Sequence, residues 1–235
     1  MPFRRKPPPG NVRRVVGLGN NVRGVTTNKC GHLVQFESEQ EHKLILLLER
    51  DLTATDYVSQ PETLHFEDAK HRQRKYTPDF KVWRTDGQIE LHEVTLASRR
   101  ASRESLQQRE EAARAICHER GWRYLVHTDE TLPAAQEYAN LNCLSAFRAL
   151  TYASPELTAW WQTQLAGKGP LHPSMVLNQA AAPLEPGQLL NTLYHLLWHG
   201  AIQMDWRQPF FWRDDFHPTA RIWLPSAAIR KESAP

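Results

Sequence analysis

The sequence predicts an α/β protein, in which a mixed sheet flanked by helices is followed by a small, mainly helical domain. Three observations predict it. Residues 76–83 (YTPDFKVW) and 88–96 (QIELHEVTL) are short runs rich in β-branched and aromatic residues, joined through Thr85-Asp86-Gly87. The segments around them read helix, strand, hairpin, helix, strand, and a helical crossover into the last strand makes it a parallel neighbour. Six of the eight tryptophans lie beyond residue 155, so the C-terminal part has an aromatic core of its own.

Taken in order, residues 1–32 read as an arm, because Pro7-Pro8-Pro9-Gly10 forbids regular structure and scattered Gly and Asn continue to Gly31. Gly17-Leu18-Gly19 lacks the strand-to-helix setting of a nucleotide loop. Ser38 caps a helix over 39–50 that turns Leu44, Ile45, Leu47 and Leu48 inward. Residues 56–66 (DYVSQPETLHF) read as a first strand interrupted near Pro61. In the hairpin, Gly87 after Asp86 suits a three-residue loop whose last residue needs φ > 0. A polar, Ala-containing helix spans 101–120 and stops at Gly121, and 122–127 (WRYLVH) reads as a buried strand.

The second part begins near Leu132. Helical segments at 133–150 and 154–165 lead to a connection from Gly167 to Pro170. A helix over 186–199 follows, with Leu189, Leu190, Leu193, Leu196 and Leu197 inward and Gly200 as its stop. Residues 201–213 then form a short strand and wing, so this part reads as winged-helix-like. The 186–199 helix has no Lys or Arg, which favours protein contact over a DNA groove. The expected division is an arm at 1–32, a sheet domain at 33–131, a helical domain at 132–225 and a tail at 226–235.

Composition narrows the class. The chain has 235 residues, 23% charged and 40% hydrophobic, and its longest apolar run, Leu44 to Leu48, is far short of a membrane span. The basic N-terminus lacks a signal peptide's apolar segment, so a cytoplasmic protein without membrane contact is expected. Cys30, Cys117 and Cys143 are odd in number and widely spaced, forming neither a disulfide framework nor a zinc knuckle. Net charge is +3, but the first 36 residues hold seven basic side chains (Arg4, Arg5, Lys6, Arg13, Arg14, Arg23, Lys29) and no acid. Such an arm either contacts phosphates or simply keeps the chain soluble.

The hairpin holds the chemistry. If Arg84 faces Gln88, counting outward sets Asp79 opposite Glu93, with Trp83, Ile89 and Leu91 on the same face. Directly opposed residues have Cβ atoms about 4.5–5.5 Å apart, and like charges there are destabilising. A partly buried acid pair needs a proton, a basic partner or a cation. Magnesium suits such a pair, since one or two carboxylates plus waters and phosphate oxygens complete its shell. A two-residue loop would instead set Asp79 opposite Val94; in the plain alternative Asp79, after Pro78, only shapes a strand entrance and Glu93 is a solvated residue on an open sheet. His195 and His199 have a metal-ligand spacing but no third ligand, and read as structural.

At Phe36-x-Ser38-x-x-Glu41, Gln60-Pro61, Tyr76-Thr77-Pro78-Asp79-Phe80 and Glu93-Val94 the sequence resembles the TnsA family, the restriction-endonuclease-like subunits of heteromeric transposases. The likeness covers most of the chain and implies a restriction-endonuclease-like domain followed by a winged-helix-like one. Glu41 matches the family's acid on the first helix, Asp79 its central aspartate and Glu93 its next acidic or amide position. The lysine usual two residues later is Thr95 here. Glu41 has a second reading, as the N3 glutamate of a capping box that bonds the Ser38 amide.

The resemblance implies a Mg2+-dependent endonuclease, with Mn2+ as a substitute, that cuts the non-transferred strand at the 5′ ends of a mobile element. The metal would be held by Asp79, Glu93, the Val94 carbonyl and Glu41. Lys81, two residues from Asp79, is the candidate replacement for the lysine missing at Thr95. Arg99, Arg100 and Arg103 after the Glu93 strand, with Arg4, Arg5, Lys6, Arg13 and Arg14 of the arm, are the candidate DNA contacts, and Gln107 is open between DNA contact and a solvated helix face. Implied partners are transposon-end DNA, a TnsB-like integrase-like transposase and a TnsC-like regulatory ATPase. The alternative is a non-catalytic DNA-binding assembly factor of the same complex.

Overall fold

The computed structural model describes residues 23–152 and 154–225. Arg4, Arg5, Lys6, Arg13 and Arg14 of the arm and the tail at 226–235 lie outside the described residues. The chain divides into two compact units at Pro133/Ala134, two residues past the expected boundary. The reason is Leu132, which packs into the core of the first unit.

The first unit begins with a hairpin that the arm reading missed, β1 (Gly24–Thr27) paired antiparallel with β2 (Leu33–Phe36). Gly24 is required there because any Cβ would run into the Phe36 ring. Buried Asn28 anchors the hairpin, donating to Asp56 and to the Tyr57 carbonyl while accepting the Cys30 and His32 amides. Helix α1 (Glu39–Arg50) follows as expected, with Ser38 accepting the Glu41 N–H as its cap. Its buried side is Leu44, Ile45, Leu46 and Leu48, with Leu47 only partly covered.

The expected strand at 56–66 is two strands in different sheets. Strand β3 (Ala54–Ser59) ends where Gln60 adopts φ 48° ahead of Pro61, which turns the chain out of the sheet. Strands β4 (Leu64–Glu67) and β5 (Gln73–Tyr76) then make a separate antiparallel hairpin. Strands β6 (Phe80–Arg84), β7 (Ile89–Val94) and β8 (Arg123–His127) join β3 in a four-stranded sheet of order β3-β6-β7-β8. The first two pairs are antiparallel and β7–β8 is parallel, the expected result of a helical crossover.

That crossover is two helices, α2 (Ala97–Ser102) and α3 (Glu104–Glu119), separated at Arg103, whose backbone is extended. One face of the sheet packs Phe80, Val82 and Tyr57 on α1; on the other, Leu91 clusters with Leu64 and Tyr76 of the β4–β5 hairpin and with Ala113 and Cys117 of α3. The sheet is thus sandwiched between α1 and α3.

The second unit contains α4 (Ala135–Leu144), α5 (Pro155–Leu165), α6 (Pro173–Leu177) and α7 (Pro186–Trp198). Short strands follow: β9 (Gln203–Met204), β10 (Phe211–Trp212), β11 (Asp215–Phe216) and β12 (Ile222–Trp223). β9 pairs with β12, β10 with β11, and Leu171 bridges Ile222. Buried Trp161 donates to the Leu189 carbonyl at 3.0 Å, joining α5 to α7. His195 and His199 bond the Phe147 and Arg148 carbonyls, consistent with structural roles. No helix among the described residues is long and apolar enough to cross a membrane.

Candidate active site

The β6–β7 register decides the site. Arg84 N–H donates to the Gln88 carbonyl at 2.9 Å across a loop closed by Gly87 at φ 82°, and the ladder runs from Trp83↔Ile89 to Phe80↔His92. This is the expected three-residue loop. One step beyond the ladder stand Asp79 and Glu93. The Asp79 N–H donates to the His92 carbonyl at 3.1 Å, and its Oδ2 accepts the Val94 N–H at 2.7 Å. It is therefore the Val94 amide that touches the site aspartate.

The Asp79 and Glu93 carboxyl groups hydrogen-bond each other. Burial, then the Glu93 charge, raises the Asp79 acid well above the usual carboxylate range. Burial raises Glu93 too, opposed by Arg109 and by bonds from Tyr76 and Asp79. The Tyr76 hydroxyl donates to Glu93 Oε2 at 2.5 Å and lies 2.9 Å from the Tyr124 hydroxyl. From α3, Arg109 Nη2 donates to Glu93 Oε1, while its Cζ stands 4.5 Å from the Tyr76 ring centroid. A cavity of about 440 Å³ opens over this cluster, lined by Asp79, Glu93, Tyr76, Arg109, Lys75 and Thr77, together with Thr63.

Glu41 takes the capping role the sequence suggests, with one correction. Its carboxylate caps the entry to α1, but the amide it accepts is that of Glu37, at 2.9 Å, together with the Ser38 hydroxyl, rather than the Ser38 amide. It also feels Asp79. Burial first, then the Asp79 charge, raises its acid to about 7. Yet no group of three or more His, Cys, Asp or Glu among the described residues stands ready to hold a metal ion. Glu41 remains on its cap, and the site's acids are a pair with a third charge nearby.

Other expectations divide. The Thr95 N–H donates to the His127 carbonyl, which extends the β7–β8 pairing and leaves an uncharged side chain at the lysine position. Lys81 is committed elsewhere: its Nζ is 3.4 Å from Glu62 and 3.9 Å from the Trp122 ring centroid. Flanking aromatics draw it away from the cavity. Arg100 is held by Glu110 through both nitrogens of its fork, at 2.9 Å, so its charge is already matched. Arg99 and Arg103 are exposed.

Sequence reading gave no site role to Arg109, Tyr76 or Lys75: Arg109 comes from α3, while Tyr76 and Lys75 end β5, a strand that lies outside the four-stranded sheet and runs directly into Asp79. It also missed a basic hairpin. Lys70, Arg72, Arg74 and Lys75 are all exposed on β4–β5 and its turn, with Arg72 and Arg74 sharing Asp68. The run Lys70-His71-Arg72-Gln73-Arg74-Lys75 was the available signal.

A mixed sheet between helices, with paired acids where β6 meets β7, fits a restriction-endonuclease-like domain. Residues 51–129 match the family model described as TnsA-like endonuclease N terminal, which supports a TnsA-like endonuclease family. The match takes in Asp79, Glu93, Thr95 and Arg109 but not Glu41 or the second unit. No curated protein matches the chain.

The donor set suits a hard divalent cation. Two carboxylates in mutual contact hold a proton between them because their charges repel, and a dication removes that cost while accepting oxygen ligands.

Proposed function

We propose that this protein is a divalent-metal-dependent DNA endonuclease subunit of a transposase, acting on the non-transferred strand at the 5′ ends of a mobile element. The observation behind this reading is the Asp79–Glu93 pair, proton-sharing and open to a cavity, inside a domain of the TnsA-like endonuclease family. Mg2+, or Mn2+ in its place, would polarise the phosphate, lower the pKa of a bound water and stabilise the leaving oxygen. In hydrolysis the water oxygen forms a bond to phosphorus, one ester bond breaks, and the departing oxygen takes a proton.

The chain's residues divide the remaining work. Asp79 and Glu93 supply the metal ligands. The Val94 amide fixes Asp79 Oδ2. Tyr76 holds Glu93 by its hydroxyl, which is itself hydrogen-bonded to the Tyr124 hydroxyl. Glu41 brings a third carboxyl near the pair from the start of α1. Lys70, Arg72, Arg74 and Lys75 on the basic hairpin, with Arg99, Arg103 and the arm, face DNA phosphates, and the work on DNA belongs in the cytoplasm.

The second unit serves assembly with an integrase-like transposase and a regulatory ATPase. A winged-helix reading is supported by its order of helix, bridging Leu171, two helices, strand, hairpin and strand. The helix in the recognition position, α7, contains no Lys or Arg and buries most of its length, which favours a protein partner.

Thr95 favours a second reading, a DNA-binding assembly factor that no longer cuts. Strand-specific cleavage of labelled element-end DNA decides between them, run with Mg2+ or Mn2+ and the partner transposase. Cutting by the wild type that disappears in Asp79→Ala supports the nuclease. A silent wild type beside a cutting Thr95→Lys makes the protein an assembly factor.

A further inference from the structure

We propose that Arg109 supplies, from helix α3, the positive charge that position 95 lacks, and that its guanidinium contacts the phosphate being cleaved. The proposal rests on the nuclease reading above and adds a residue that the acid hairpin does not contain.

Position comes first. Arg109 lines the same cavity as Asp79 and Glu93, and its Nη2 already reaches Glu93. Its guanidinium lies over the Tyr76 ring, which fixes the plane of the fork without using its N–H donors. The Nε of Arg109 is buried and has no hydrogen-bond partner. A buried N–H left unpaired is costly, and such groups mark places where an acceptor is meant to arrive. A phosphate's oxygens match a guanidinium fork two at a time.

The other candidates are excluded by their contacts. Thr95 brings no charge, and Lys81 is held by Glu62 and Trp122. Lys75 lines the cavity too, but it is exposed on the basic hairpin. Arg109 alone joins charge, partial burial and contact with the acid pair.

Chemistry then fixes the role. A guanidinium stays protonated in proteins, so Arg109 cannot take a proton from water as a lysine with a lowered pKa can. Its contribution is to hold the phosphate and to offset the charge that grows on it in the transition state. Without DNA the guanidinium instead neutralises Glu93, the carboxylate a metal would need. Metal and Arg109 therefore compete for Glu93 until a phosphate arrives to engage the guanidinium.

This competition separates the proposal from a purely structural role. The test measures Mn2+ affinity by electron paramagnetic resonance without DNA, and cleavage of element-end DNA with the partner transposase. Wild type is compared with Asp79→Ala, Arg109→Ala, Arg109→Lys and the double variant Thr95→Lys/Arg109→Ala. Wild type should cut and Asp79→Ala should not. Arg109→Ala should cut about 100-fold more slowly, the usual effect of removing one transition-state donor, yet bind Mn2+ several-fold more tightly. Arg109→Lys and the double variant should each recover part of the rate. Arg109→Ala cutting at the wild-type rate while Asp79→Ala is silent overturns this proposal and leaves the nuclease reading intact. Slow cutting with weaker Mn2+ binding and no recovery in the double variant makes Arg109 structural and also overturns it. A wild type no more active than Asp79→Ala sinks the nuclease reading and this proposal together.

Discussion

Asp79 is held twice, by its backbone N–H on the His92 carbonyl and by its carboxylate on the Val94 amide, so it cannot swing away from Glu93. The pair relieves its repulsion by sharing a proton, and on the proposed metal-site reading that arrangement costs stability that a bound cation would restore. Asp79→Asn should therefore raise the stability of the metal-free protein by about 0.5–2 kcal/mol. On the metal-site reading Mg2+ should raise the melting temperature of the wild type, and Asp79→Asn should abolish that rise. Thermal melts in chelator and in Mg2+ check both, and a destabilised Asp79→Asn would show that the pair is not strained. A second buried pair lies along β7 and β8. His92 Nδ1 is 2.9 Å from His127 Nε2, with Glu90 on the far side of His92. Burial, then the His92 charge, lowers His127 to about 4. Above pH 6.5 the residue is neutral folded or unfolded and costs nothing. As pH falls from 6.5 towards 4 the unfolded chain takes up a proton that the folded one refuses, so stability drops, by roughly 3 kcal/mol for this group. Denaturant melts across that window should fall less steeply in His127→Gln, which retains a donor for His92. Equal slopes would mean that other groups set the acid limit.

Elements bring these residues together, and their legibility differed for physical reasons. The β6–β7 hairpin was readable because its register is a count outward from one turn, and Gly87 at φ 82° identifies that turn. Helix α1 was readable because its cap and apolar spacing agree. The β1–β2 hairpin was not, since Gly24, Gly31 and Asn28 look like loop chemistry until Asn28 is seen bonded to Asp56 and Tyr57. The split of β3 from β4 was half legible: Pro61 announced a break, but nothing local says that the chain leaves the sheet. Arg103, where α2 and α3 part, has no sequence signature at all. Arg109 escaped for a different reason, because α3 meets β5 and β7 only through tertiary packing. The β4–β5 hairpin could have been read from its basic run, and it makes its own prediction. Lys75 faces the cavity rim and lacks the carboxylate that Asp68 gives Arg72 and Arg74. Lys75→Ala should weaken DNA binding to all sequences alike and lower the slope of log affinity against log salt by about one. Titrations at several salt concentrations measure this, and an unchanged slope would take the hairpin off the phosphate path.

Across the whole molecule the charge is divided. The first 36 residues hold seven basic side chains and no acid, while the rest has 22 basic against 26 acidic residues. In the first unit many basic groups are matched: Arg84 by Asp51 and Glu90, Arg100 by Glu110, Arg120 by Glu62. On the proposed nuclease reading, long-range attraction for DNA would therefore fall to the arm, the basic hairpin and the exposed arginines near α2. The acids, Tyr76 and Arg109 all lie between Glu41 and Tyr124, and the hydrogen bonds that hold them are made inside the first unit. Affinity and chemistry should then separate. Deleting residues 1–22 removes Arg4, Arg5, Lys6, Arg13 and Arg14, and every phosphate that goes unneutralised as a result lowers the salt slope by about 0.9. Binding at low salt should weaken markedly, and weaken less as salt rises and screens what remains. Cleavage at saturating DNA should proceed at the full-length rate. Binding titrations and single-turnover cleavage on the same preparation test the two halves. Unchanged binding would make the arm a solubilising segment, and a fall in the saturated rate would bring it into the active site itself.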